Sequence, residues 1–353
     1  MLFDPFTLRG LTFRNRIGVS PMCQYSSTDG LADDWHLVHL GSRAVGGAGL
    51  VMTEATAVEA RGRISPRDLG LWNDEQMAPL ARITGFLRAQ GTASGIQLAH
   101  AGRKAATARP WEGGKPLAPP EGWSPIVAPS ELPFDDGYQT PSALTEGEIA
   151  ALIESFARSA ARAAQAGFEV IEIHAAHGYL IHEFLSPVSN HRHDAWGGDF
   201  SGRIRFLLEI AGAIRRVWPE DHPLFVRLST TDWLGAGGWT IEDSIALGRR
   251  LREAGVDLVD CSSGGIAPRV KIDTGPGYQT GNAARIRSEA AIPTAAIGFI
   301  TAAAQAEQIL RTGQADMVFL ARELLRDPYW PLRAARELGA PVPYPVQYER
   351  AWR

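Results

Sequence analysis

The segment EGEIAALIESFARSAARAAQAGFEVIEIHAAHGY, running from Glu146 to Tyr179, carries one complete structural unit of this chain. Its first part places apolar residues at Ile149, Leu152, Ile153 and Phe156, the spacing of one helix face. The spacing predicts a helix over Glu146–Ala166, with Gly167 as its C-terminal cap. A continuous β-branched run, Val170–Ala176, follows and reads as a strand buried on both faces. Polar residues gather at its end: His174, His177 and Tyr179.

The same rhythm extends in both directions. Short apolar or β-branched runs recur at Arg16–Met22, Gly49–Ala55, Ala93–Ala99, Val170–Ala176, Leu224–Ser229, Leu258–Ser263, Pro293–Gly298 and Met317–Arg322. Helical patterns lie between most of them, including Ile241–Ala254 and Thr301–Thr312, followed by Gly255 and Gly313. This repetition predicts an α/β fold of the (β/α)8 TIM-barrel type. An open doubly wound sheet is the alternative, and it would normally carry a glycine-rich phosphate loop after its first strand. Here Cys23-Gln24-Tyr25-Ser26-Ser27 stands in that place, and Gly46-Gly47-Ala48-Gly49 precedes a strand and lacks the spacing. Asp4–Phe13, turning at Arg9-Gly10, reads as a short N-terminal hairpin closing the barrel bottom. The Pro- and Gly-rich stretch from Arg109 to Pro141 reads as a long functional loop, because the β/α rhythm continues on both sides of it. Residues 1–353 are therefore expected to form one domain.

Composition narrows the function classes. The chain is 45% hydrophobic and 21% charged, ordinary values for a globular enzyme. Its 35 basic and 39 acidic residues form no long like-charge run, so neither nucleic acid nor an anionic membrane is an expected partner. Two cysteines, Cys23 and Cys261, exclude a disulfide framework and argue against a cysteine zinc site. The opening MLFDPFTLRG has no signal-peptide pattern, and no apolar stretch reaches the length of a membrane span. A cytoplasmic location is the expectation.

In TIM barrels the active site is built where the strands end. Reading those ends gives Pro21-Met22-Cys23, Glu54-Ala55, Gln97 with His100 and Lys104, then His174, His177 and Tyr179, then Arg227, Gly298, and Ala321-Arg322. His174-Ala-Ala-His177 supports three readings. Two hydrogen-bonded structural histidines is one. A metal pair completed by His182 or Glu183 is the second. Two neutral donors toward an anion or carbonyl oxygen, beside the tyrosine hydroxyl as proton source, is the third. Gln97 and Arg227 suit either an internal polar layer or contact with a flat electron-accepting ring, where arginine holds its charge. Gly298 and Arg322 follow strands seven and eight, a common phosphate position, where a glycine admits the backbone and an arginine forks two oxygens. Cys23 reads as a small buried residue or a member of the site, and Cys261 as structural.

At these residues the chain resembles the Old Yellow Enzyme family of flavin-dependent ene-reductases, and within it the thermophilic-like class. The motifs are Ser20-Pro-Met-Cys-Gln-Tyr25, Gln97-Leu-Ala-His-Ala-Gly-Arg-Lys104, Ile171-Glu-Ile-His-Ala-Ala-His-Gly-Tyr179, Glu183-Phe-Leu-Ser-Pro187, Arg322-Glu-Leu-Leu-Arg-Asp-Pro328 and Gln347-Tyr-Glu-Arg350. They appear in order and span Phe3 to Trp352. The resemblance implies non-covalent FMN, with Pro21, Met22 and Ala55 along the ring. It implies Gln97 at the ring's pyrimidine side, Arg227 near its N1–C2 carbonyl, and Gly298, Ala321 and Arg322 at the phosphate. It places Cys23 against the flavin as a modulator of its potential. It assigns His174 and His177 to the substrate oxygen, Tyr179 to proton donation, Tyr25 to the oxygen side of the pocket and Lys104 to the entrance.

The implied activity is that of an NADPH dehydrogenase and ene-reductase, in which NAD(P)H reduces FMN and the reduced flavin delivers hydride to the β-carbon of an enone-type substrate. NADPH is the implied donor, with NADH as the alternative. Two departures stand out. Ala321 occupies a position commonly held by glycine, and Trp111–Ser124 is longer than in the shortest members. The tail from about residue 341 to 353 resembles one that reaches a neighbouring subunit's site, with Arg350 as its finger, which implies a homodimer or homotetramer. A metal-dependent TIM-barrel hydrolase or aldolase using His174 and His177 is the competing function.

Overall fold

The computed structural model describes residues 1–341 and 344–352. Eight parallel strands close into a barrel. They are β1 (Ile17–Val19), β2 (Leu50–Ala57), β3 (Ala93–Ala99), β4 (Val170–Ala175), β5 (Leu224–Ser229), β6 (Leu258–Ser262), β7 (Thr294–Ala296) and β8 (Met317–Leu320). Each pairs with its neighbour in sequence, and β8 returns to β1 through Phe319 opposite Gly18. The expected TIM barrel is therefore the observed one.

The helices of the outer ring are α1 (Asp34–Val45), α2 (Met77–Ala89), α3 (Glu146–Gln165), α4 (Phe200–Arg215), α5 (Ile241–Glu253), α6 (Thr280–Ala290), α7 (Ala303–Arg311) and α8 (Trp330–Glu337). Local chemistry sets their starts. Thr145 accepts from the backbone of Glu148 while Glu148 bonds back, and Thr240 and Asp243 repeat the pattern at α5. Gly167, Gly255 and Gly313 take φ of 80°, 85° and 70° after α3, α5 and α7, as their cap positions require.

Three strands stop two or more residues short of the ends of their apolar runs. β1 stops at Val19, β7 at Ala296 and β8 at Leu320. Pro21 has no N–H to extend the ladder, and Pro21 through Ser26 then runs half-buried across the strand ends. Arg322 instead begins a short helix, Arg322–Arg326.

The N-terminal hairpin forms as expected, pairing Phe6–Leu8 with Leu11–Phe13. It plugs the barrel bottom. Phe13 packs with Leu50, Met52, Val170, Phe225, Leu258, Met317 and Phe319 in a continuous apolar cluster. Because side chains alternate along a strand, Val170, Glu172 and His174 point to the same interior side at rising levels. The interior is thus apolar below and polar above. A second apolar shell lies between strands and helices, with Ile96, Ile171, Ile173 and Val226 facing residues such as Phe156 and Ile210.

Phe13 is fully buried. Phe13→Ala should cost about 3–5 kcal/mol of unfolding free energy, measured by urea denaturation.

Candidate active site

The site is assembled at the C-terminal ends of the strands. A cavity of about 270 Å³ opens there, lined by Pro21, His177, Arg227, Gly298 and Arg322 among others. Ser20, just past β1, and Ser262, at the end of β6, contribute, and Tyr278, Gln279 and Phe299 form its outer wall. Gly298 has φ of 107°, and a Cβ there would come within 2.8 Å of Gln279 Nε2 and 2.9 Å of the Tyr278 ring. The cradle therefore accepts only glycine. Ala321 has a negative φ of −110°, so the position does not call for the left-handed conformation that favours glycine. Arg322 is exposed at the rim, its guanidinium 4.5 Å from the centre of the Phe299 ring.

Arg227 forms the floor. Its Nη2 donates to Ser20 Oγ at 2.9 Å, and its Nε lies 3.1 Å from Asp260 Oδ2. That second contact has ion-pair distance without hydrogen-bond geometry. The salt bridge and the cavity lining thus coexist. Gln97 is buried beside the floor and donates from Nε2 to Glu172 Oε1 at 2.7 Å.

A second group of residues adjoins the cavity. Cys23, Tyr25 and Tyr179 pack with Ala55, Ala99, Ala101 and Ile126. The thiol of Cys23 interacts with the Tyr25 hydroxyl, and burial pushes the thiol up. Cys23 has no histidine partner there, so the thiol stays protonated. Met22 packs against the main core instead. Trp111 arrives from the long loop and meets Tyr25 edge-on at 5.8 Å.

His174 joins the two groups. Its ring lies 5.1 Å from the His177 ring and 5.1 Å from the Tyr179 ring, nearly perpendicular to both. Burial first, and then the charge of Arg227, hold both imidazoles far below the usual histidine value. They are neutral at pH 7. His177 Nε2 is 2.7 Å from Ser262 Oγ, while His174 Nδ1 is buried with no hydrogen-bond partner among the described residues. Burial also drives the Tyr179 hydroxyl well above its usual range, so it remains a proton donor.

The turn that presents His177 is unusual, with φ of 60°. Three contacts enforce it. Gly178 packs so closely on Gly265 that a Cβ at 178 would lie 2.1 Å from the Gly265 oxygen. Gly178 N donates to His182 Nδ1 at 2.8 Å, and His182 Nε2 reaches Asp232 at 2.9 Å. Lys104 Nζ donates to the carbonyls of His177 and Gly265 at 2.7 and 2.6 Å. The structure therefore places Lys104 beneath the turn, where burial lowers its ammonium to about 8. His182 and Glu183 are likewise engaged away from His174, Glu183 accepting from Arg103 N at 2.9 Å. Among the described residues no group of three His, Cys, Asp or Glu could hold a metal ion. Arg350 is exposed on the short helix Glu349–Trp352, outside this cluster. Residues 342, 343 and 353 of the tail lie outside the described residues.

Three buried carboxylates of the site, Glu54, Glu172 and Asp260, carry no role predicted from the sequence. Glu54 accepts from Gln24 N at 2.8 Å and faces His36 Nε2 at 3.2 Å, so it pins the loop carrying Cys23 and Tyr25. Glu172 and Asp260 lie one level below the site. Their signal is alternation, each standing two residues before a site residue, His174 and Ser262.

Comparison with known proteins decides the family. The model of the NADH:flavin oxidoreductase / NADH oxidase family matches residues 1–340. The chain belongs to that family. This is the Old Yellow Enzyme grouping expected from the motifs. The chain is 51% identical to the NADPH dehydrogenase of Geobacillus sp. strain WCH70, over 100% of this chain and 99% of that protein. Among solved structures, 2-naphthoyl-CoA reductase in complex with 2-naphthoyl-CoA superimposes with a TM-score of 0.86 and 27% identity, covering 96% of this chain and 52% of that longer one. Morphinone reductase in complex with tetrahydroNAD gives 0.77 and 28%, covering 98% and 92%. The chain is an FMN-dependent oxidoreductase with a nicotinamide dinucleotide as reductant. The residues fit FMN: a glycine cradle and Arg322 suit the phosphate, and Arg227 at the floor suits a ring that gains negative charge. No helix among the described residues is long and apolar enough to cross a membrane.

The neutral histidines have a measurable consequence. Their folded-state value is lowered, so the unfolded chain takes up protons below about pH 6.5 that the fold refuses. Their contribution to stability is present above that pH and lost as pH falls. His174→Asn should flatten this fall by about 1.4 kcal/mol per pH unit, in urea denaturation compared at pH 7 and 5.

Proposed function

We propose that this enzyme is an ene-reductase that uses NADPH, and that it reduces α,β-unsaturated carbonyl compounds and similarly activated alkenes. The observation that carries the reading is the group His174, His177 and Tyr179: two neutral imidazoles and a protonated phenol around one point above the barrel floor. The names of the NADPH dehydrogenase relatives support NADPH as donor, and the absence of a glycine-rich dinucleotide motif fits a donor that visits the flavin face.

When bound, FMN relays a hydride from the nicotinamide to the β-carbon of the acceptor. Gly298, Ala321 and Arg322 would hold its phosphate, and Pro21, Met22, Cys23, Ala55, Gln97 and Arg227 its ring. His174 and His177 bind the acceptor's carbonyl oxygen. Held neutral and fixed by Ser262 and the strained turn, they donate hydrogen bonds without reorganising as charge grows on that oxygen. Tyr179 delivers a proton to the α-carbon from its hydroxyl. Tyr25 completes the oxygen side of the pocket, and Lys104 acts from beneath by holding the His177 carbonyl. The barrel and its tail form one FMN-binding unit. The tail brings Arg350 to the site of a neighbouring subunit in a homodimer or homotetramer. Two free thiols, Cys23 and Cys261, fit the reducing cytoplasm.

The purified protein should be yellow, bleach anaerobically with NADPH and recover colour with cyclohexenone. Failure to recover would remove enones as acceptors. Tyr179→Phe should bleach at the wild-type rate but reoxidise with cyclohexenone about 10²–10⁴-fold more slowly, by stopped-flow absorbance. Unchanged reoxidation would remove Tyr179 as the donor. Arg350→Ala should raise the KM for cyclohexenone with little change in kcat, and unaltered steady-state kinetics would dismiss the shared site.

A further inference from the structure

Beneath the site the barrel buries two carboxylates and one guanidinium. Glu172 and Asp260 have no exposed surface, and Arg227 is nearly as buried. Asp260 sits opposite Arg227 in the β5–β6 register and takes its charge. Glu172 sits opposite Gln97 on one side and Phe225 on the other. The charged and titratable groups around Glu172 are therefore Arg227 on the neighbouring strand β5, Asp260 on β6 beyond it, and His174 one level above on its own strand. Among the described residues Gln97 is its one hydrogen-bond donor, on Oε1, and Glu172 Oε2 has no partner.

One cation cannot balance two buried anions. An ionised Glu172 would leave a net negative charge in a dry interior with one oxygen unsatisfied, a state costing several kcal/mol. A protonated Glu172 leaves Asp260 and Arg227 as the sole ion pair. Burial, and then the charge of Asp260, push the Glu172 carboxyl upward, in agreement with the geometry.

The 2.7 Å contact with Gln97 gives this proton a role. Here the Gln97 N–H₂ faces Glu172, where either an ionised carboxylate or the carbonyl oxygen of a protonated carboxyl accepts it. A protonated carboxyl can also donate to the amide oxygen once the amide turns over, which points the N–H₂ upward. An ionised one can only accept, and locks the amide oxygen upward. The choice of group that Gln97 presents to the site is therefore open only while Glu172 is protonated.

We propose that Glu172 remains protonated at neutral pH and is a positioning residue that sets the orientation of Gln97, so that the redox potential of bound FMN depends on the ionisation of this carboxyl. The proposal rests on the reading of Gln97 as a cofactor contact.

The test uses the FMN holoenzyme and its Glu172→Gln variant. Infrared spectra at pH 7 should show a protonated-carboxyl carbonyl band in wild type that is lost in the variant. Spectroelectrochemical titration should show the wild-type FMN potential falling more steeply than that of the variant as pH rises through the alkaline range. A band that survives in Glu172→Gln overturns the proposal. A lost band with parallel potential-against-pH lines overturns the link through Gln97. If Glu172→Gln does not retain FMN, Gln97→Met supplies the band test in its apoprotein, where removing the partner must move the Glu172 band. No movement overturns the proposal. Failure of wild type to reduce cyclohexenone alongside these spectral results would count against ene-reduction and leave the Glu172 assignment standing.

Discussion

A closed parallel barrel buries each strand on both faces, and the rest of this molecule follows from that constraint. The outward side must meet helices and the inward side must meet other strands, so polar groups can stand inside only where something compensates them. This chain concentrates its interior polarity in the upper half. Leu50, Val170, Phe225, Leu258 and Met317 fill the bottom with Phe13 as a stopper, and the positions above carry Gln97, Glu172, His174, Arg227 and Asp260. The same two-residue alternation builds both the plug and the site.

Rigidity is imposed on the site from below. The His177 turn is held by a glycine-on-glycine contact, by the amine of Lys104 across two carbonyls, and by His182 backed with Asp232. Glu54 and His36 do the same for the loop of Cys23 and Tyr25, another segment with positive φ at a non-glycine residue, 49° at Tyr25. Strain of this kind persists only when the surroundings over-determine it. Few of these supports touch the cavity, yet each fixes the direction of a side chain that does.

This division explains what was legible in the sequence. Strand runs and cap glycines are local signals, and they located all eight strands and the hairpin. Residues at strand ends were also legible, because the barrel fixes which end holds chemistry. Asp232 and Gly265 were not, since each matters through a contact between distant segments that no local pattern announces. Glu172 and Asp260 sit inside apolar runs where a charge looks like an interruption, and only the interior alternation shows that they lie beneath His174 and Ser262. The family resemblance assigns Lys104 to the entrance. Its long side chain instead bends under the His177 turn, which spacing alone does not reveal.

The long loop between β3 and α3 has its own anchorage. A two-residue ladder joins Val127–Ala128 to Ser142–Ala143, and Trp111 reaches back to Tyr25 from the segment before it. The ladder ties two segments of this excursion together, and the buried Val127 and Ala128 seat them on the body of the protein. A change of length between Trp111 and this ladder would alter the rim beside Tyr25 and leave the barrel strands in place. A chain of this architecture can change what its pocket admits without rebuilding the barrel.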